Sequence, residues 1–204
     1  MNQKLDLQLL FIDFEVNPKT NDIFKVGALA LQYTYDDTLQ ESSWKVLEKI
    51  EESVNRKGEL QSLMERLDRC ASKADYLIGH NLVEHDLPIL REAFPASQLL
   101  TLRVFDTLQI SPLAFPKNPY HRLLKDYKLI RSELNSPLED CFSTLKLFDE
   151  QLAALLHFAK EERGIAELQV YQKILANINP NYDELFSFIT QRPLISDEEF
   201  AHLL

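Results

Sequence analysis

Leu9-Leu10-Phe11-Ile12-Asp13-Phe14-Glu15-Val16 is an apolar run broken by two carboxylates two residues apart. Side chains alternate along a strand, so Asp13 and Glu15 share one face while Ile12, Phe14 and Val16 share the other. Adjacent carboxylates resist joint ionisation unless a cation sits between them. The pair therefore marks a metal anchor. Taken alone, a D-x-E at a strand end also reads as a solvated rim, and the rest of the chain has to decide.

Around this strand (residues 7–16) the pattern is that of an antiparallel meander. Asn17-Pro18-Lys19-Thr20-Asn21-Asp22 is a turn, Ile23 to Tyr35 a second strand, and Thr38 to Leu47 a third. The period then changes to that of a helix. Leu60, Leu63, Met64, Leu67, Cys70 and Ala71 give an amphipathic helix over Gly58 to Lys73. Asp75 to Gly79 is a short buried strand running into His80-Asn81, and the helix that follows holds Pro88 in its first turn. Leu102 to Leu108 reads as a fifth strand with Asp106 near its end. Pro112, Pro116 and Pro119 mark a loop before a helix starting near Tyr120. Ser136-Pro137-Leu138-Glu139 is a capping box with Pro at the first helical position. The helix it opens carries an apolar stripe of Leu138, Cys141, Leu145, Phe148, Leu152 and Leu155, with Asp140 off that stripe, where an acid in the first turn also suits the helix dipole. The expectation is an α/β fold, a mixed five-stranded sheet flanked by helices, over residues 1–157. Residues 158–204 are expected to form a helical extension.

Composition narrows the classes. At 204 residues and 45% hydrophobic content the chain has ample material for a core. No signal peptide or membrane span is legible, which makes the cytoplasm the expected location. Cys70 and Cys141 lie on apolar helix positions and read as core residues of a reducing compartment. A net charge of −10 argues against broad electrostatic capture of nucleic acid, but not against a nuclease whose divalent cations offset the charge. No glycine-rich phosphate loop, G-x-S-x-G or zinc-spaced Cys/His set is present.

Asp13-Phe14-Glu15, Gly79-His80-Asn81-Leu82-Val83-Glu84-His85-Asp86 and Asp140, in that order and on those elements, resemble the Exo I, II and III motifs of the DEDD (DnaQ-like) superfamily of 3′-to-5′ exonucleases. The resemblance covers about Leu7 to Leu155, and Asp106-Thr107-Leu108 is similar to the family's D-T-L segment on the central sheet. It implies an RNase H-like fold and two-metal phosphodiester hydrolysis with Mg²⁺ or Mn²⁺. It implies Asp13 bridging two ions, Glu15 and Asp140 holding the ion with the nucleophilic water, and Asp86 holding the other, partly through water. It implies Phe14, His80, Asn81 and Asp106 as residues that shape the site and meet substrate, with single-stranded DNA ends as the expected partner. His80 also fits a plain strand-end histidine.

Two departures follow. Asn81 to Asp86 spans five positions, as in the oligoribonuclease type rather than the proofreading type. More seriously, the general-base histidine of the DEDDh branch is replaced by Asn135, and the tyrosine of the DEDDy branch by Ser136. Neither takes a proton near neutral pH. Two readings stay open: an active exonuclease whose base is the metal-bound water itself or another histidine, His121 or His85, and a degenerate module that binds nucleic acid with little turnover. Lys117, Arg122, Lys125 and Lys128 fit either a phosphate contact or a solvated helix face. Ser196-Asp197-Glu198-Glu199 opens a last helix with a capping box just before Leu204, as in a chain cut from a longer one or docked on a neighbour. The segments around Tyr120 and Asn135 also resemble the exonuclease-like domain N-terminal to some bacterial DNA helicases, in which asparagine recurs at the histidine position. A helicase, covalent or not, is thus an expected partner.

Overall fold

The computed structural model describes residues 4–36, 38–39, 41–118, 136–178 and 183–203. Its centre is one mixed sheet in the order β3-β2-β1-β4-β5, made of β1 (Lys4–Val16), β2 (Ile23–Asp36), β3 (Glu41–Ser53), β4 (Tyr76–Gly79) and β5 (Arg103–Asp106). β1, β2 and β3 are successive antiparallel neighbours, while β4 and β5 run parallel to β1. Helices cover both faces, so the expected α/β architecture with a five-stranded mixed sheet is what the chain forms.

Strand alternation in β1 splits the core in two. Leu9 and Phe11 face one side with Leu29, Leu31 and Tyr33 of β2, under α4 (Pro137–Phe158). Leu10, Ile12 and Phe14 face the other, against α1 (Lys57–Ala71) and α2 (Asp86–Ala93). Asp13 and Glu15 continue the α4 side. The keystone there is Phe148, whose ring meets Phe105, Tyr33 and Phe11 edge-on at centroid distances of 5.0, 5.5 and 6.2 Å. Leu168 of α5 (Glu162–Ile178) and Phe186 and Ile189 of α6 (Asp183–Thr190) enter the same core, so the expected C-terminal helices pack on the sheet domain. In α7 (Asp197–Leu203) the Ser196 box closes in both directions, Ser196 N donating to Glu199 Oε2 at 2.8 Å and Glu199 N to Ser196 Oγ at 3.2 Å.

Three boundaries differ from expectation. β3 starts at Glu41 rather than Thr38 and runs on to Ser53, because the charges of Glu48, Glu51 and Glu52 are met by Arg66 and Lys25 at 2.6 to 2.8 Å. β5 stops at Asp106: its carboxylate caps α3 (Thr107–Ala114) by accepting from Leu108 N at 2.9 Å, so Thr107 and Leu108 are helical. Pro112 lies inside α3, not in a loop. Gln151 of α4 fastens this helix to the core, its Nε2 donating to Thr107 O and Ser111 Oγ, both at 2.8 Å.

Candidate metal centre

The Asp13 and Glu15 carboxylates converge with that of Asp140, from the first turn of α4. One oxygen from each lies within 4.8 Å of the other two. All three are partly exposed, as ligands reached from solvent must be. Opposite ligands on one octahedral Mg²⁺ are about 4.2 Å apart, twice its bond length of about 2.1 Å. Carboxylate oxygens gathered within 4.8 Å can meet on one such ion, and an all-oxygen, all-anionic donor set suits a hard divalent cation. The residues fit a metal ion.

Asp86 stands beside this trio. Its carboxylate is 4% exposed, accepts from Phe14 N at 3.1 Å through Oδ1, and has His85 Nδ1 3.5 Å from Oδ2. Burial pushes its carboxyl above the ordinary range, against the lowering pull of His85 and the Phe14 amide. Asp86 also shares a neighbourhood with two of the trio, because the buried Cys141 thiol is raised by burial and then by the charges of Asp13, Asp140 and Asp86. Cys141, one residue past Asp140, is the apolar floor under the acids.

The turn that delivers Asp86 is organised by Asp106, itself 1% exposed. Besides Leu108 N, it accepts from Asn81 N through Oδ1 and Val83 N through Oδ2, each at 2.9 Å. Asn81 enters that turn with φ of 65°, a left-handed conformation asparagine tolerates. His80 is half-buried, and its Nδ1 is 2.9 Å from Thr107 Oγ1. Thr107 gives its hydroxyl proton to Gly79 O at 3.1 Å, so Nδ1 carries the hydrogen and Nε2 the lone pair. Burial lowers the His80 pKa, against the pull of Asp106, and keeps the ring neutral at pH 7.

His85 is at the rim, its side chain 48% exposed. Its pKa is raised by Asp86 first, then by Asp13 and Glu15, against desolvation. With Phe14, Glu15, Val16, Glu84 and Pro88 it lines a groove of about 460 Å³.

Asp13, Glu15 and Asp140 are thus drawn together, with Asp86 and His85 adjoining. Asp106 is buried and spends its carboxylate on backbone amides. The Phe14 ring, 3% exposed, packs into the core on the α1 side, and its amide is what touches the acids. His121 and Asn135 lie outside the described residues, as do Arg122, Lys125, Lys128 and the helix start near Tyr120. Sequence reasoning missed Gly27. It pairs with Asp13 in the ladder, on the face α4 covers, and its signal was a glycine inside an otherwise apolar strand.

Among the described residues no helix is long and apolar enough to cross a membrane. No protein-family model matches the chain, and no curated protein matches it.

Proposed function

We propose that the chain is a metal-dependent 3′-to-5′ exonuclease domain of RNase H-like fold, acting on single-stranded DNA ends. The observation that carries the reading is the convergence of Asp13, Glu15 and Asp140, far apart in sequence, with oxygens within 4.8 Å. The buried Asp86 beside them adds to it, since burial disfavours its charge and a nearby cation would restore it.

Bound Mg²⁺ or Mn²⁺ lowers the pKa of a water and balances charge on the attacking and leaving oxygens of a phosphodiester. Asp13, Glu15 and Asp140 would hold the metal, with Asp86 assisting through water while the Phe14 amide fixes its orientation. Asp106 and Asn81 set the turn that brings Asp86 beside the acids and His85 to the groove. His85, at the rim of the groove, is a histidine whose proton affinity is raised by the acids around it, Asp86 first.

Asn135, where a histidine base would stand, favours a second reading: a weakly catalytic module that binds nucleic acid within a helicase assembly. One assay separates them. A 5′-labelled single-stranded oligonucleotide, as DNA and as RNA, is incubated with Mn²⁺ or Mg²⁺ and wild type, Asp13→Ala or Asn135→His. A ladder shortening from the 3′ end, abolished by Asp13→Ala, is the expected result. Binding without cleavage in all three proteins rejects the exonuclease.

A further inference from the structure

Asp140 reaches Asp13 only because the first turn of α4 sits directly on the sheet, and the residues that allow this form a row. Gly27 of β2 pairs with Asp13 on one side and with Glu51 of β3 on the other. A Cβ on Gly27 would overlap the Pro137 carbonyl carbon and the Leu138 nitrogen and lie 2.5 Å from the Pro137 oxygen. These are backbone atoms, with no rotamer to yield. Ser136, just before them, caps the helix, its Oγ accepting from Glu139 N at 3.2 Å, and its hydroxyl adds to Lys25 in holding the Glu51 carboxyl below its ordinary value. Glu51 is in turn held by Lys25 Nζ at 2.8 Å. Asp140 N donates to Ser136 O at 3.0 Å, closing the turn.

We propose that Gly27 and Ser136 are positioning residues for the acid cluster, seating α4 so that Asp140 stands at ligand distance from Asp13 and Glu15. The inference rests on the metal-site reading above. Atoms in contact keep about 3.5 Å between centres, so a side chain at Gly27 displaces the helix start by about 1 Å. Metal-ligand distances tolerate about 0.2 Å. The seat therefore acts on cation affinity as well as on the packing of α4.

The test titrates Mn²⁺ alone into the metal-free protein by calorimetry, well below the melting temperature, with circular dichroism confirming the folded state. Gly27→Ala is expected to weaken Mn²⁺ binding by about tenfold to a hundredfold, the range of supporting-shell losses. Ser136→Ala is expected to weaken it about threefold, a modest fraction of that range. Ser136→Thr, which keeps the hydroxyl, restores it. Gly58→Ala, whose Cβ meets nothing within 4 Å, leaves it unchanged. Wild-type affinity in folded Gly27→Ala overturns the proposal. Should Gly27→Ala fail to fold, the serine pair decides, and wild-type affinity in Ser136→Ala overturns it. No Mn²⁺ uptake by wild type overturns the metal reading itself, an outcome distinct from a difference confined to the variants.

Discussion

Acids gather in two places on this sheet, and their neighbours treat them oppositely. Along β3, Glu48 and Glu52 meet the Arg66 guanidinium at 2.6 and 2.7 Å, and Glu51 meets Lys25. Glu48 is held below the usual carboxylate range chiefly by Arg66. At the end of β1, Asp86 is pushed the other way by burial, with one amide and one imidazole as its described partners. The first arrangement satisfies its charges within the fold. The second keeps charge at a cost to the metal-free fold, which is what the proposed cation site would relieve and the β3 surface has no need of.

The largest expected effect lies where a buried carboxylate is architecture. Asp106→Ala strips partners from the amides of Asn81, Val83 and Leu108 at a site 1% exposed. At about 1 to 3 kcal/mol for each unsatisfied buried group, less what water recovers, the loss is about 3 to 5 kcal/mol. Urea unfolding measures it, and a loss under about 1 kcal/mol would remove Asp106 as organiser of the turn.

Asp86→Asn carries the opposite sign. A carboxyl raised by burial contributes stability below its ordinary pKa of 3.8, which is lost as pH rises through the raised value. At pH 7 the ionised group therefore costs the metal-free fold, while asparagine still accepts from Phe14 N. The variant is expected to be more stable by about 1 kcal/mol, or about 2 to 4 °C in melting temperature. The gain should vanish toward pH 3.8, and the stabilisation by Mn²⁺ should shrink with it. A variant less stable than wild type at pH 7 would erase the contrast between the two acidic regions.

These regions were unequally legible in the sequence. Asp13 and Glu15 could be placed because strand alternation is rigid, and Asp140 because Ser136-Pro137 fixes where α4 starts. The turn bearing Asp86 was legible in position but not in cause, since nothing in the order of residues shows that Asp106, twenty residues on, folds three amides around one carboxylate. β3 was read short because its glutamates resemble a loop until Arg66 arrives from α1. The part Gly27 plays was hidden for the same reason: its neighbours Pro137 and Leu138 come from more than a hundred residues away.

On the β3 side the expected effects are smaller. Arg66→Ala removes a partner from Glu48 and Glu52, but the pairs are partly exposed, at 36% for Arg66, so the loss is about 0.5 to 1 kcal/mol. It is present above the ordinary glutamate value of 4.5 and fades as pH falls through the lowered one. It should also weaken in high salt, which thermal melts at two ionic strengths would show.

The smallest effect concerns reactivity rather than stability, and it compares the two regions through their cysteines. Cys70 donates to Glu48 at 3.3 Å, and burial, followed by that carboxylate, pushes its thiol up to about 11. Cys141, the more deeply buried of the two, is also raised well above its ordinary value, by burial first and then by Asp13, Asp140 and Asp86. Since the thiolate is the nucleophile, alkylation of the folded protein should be slow at pH 8 for both and rise toward pH 11 for Cys70 first. Glu48→Gln should bring Cys70 labelling to lower pH and leave Cys141 unmoved, because the charges that raise Cys141 belong to the other cluster. Peptide mapping of a labelling time course reads both rates, and equal shifts at the two thiols would mean that the acidic regions are electrostatically one.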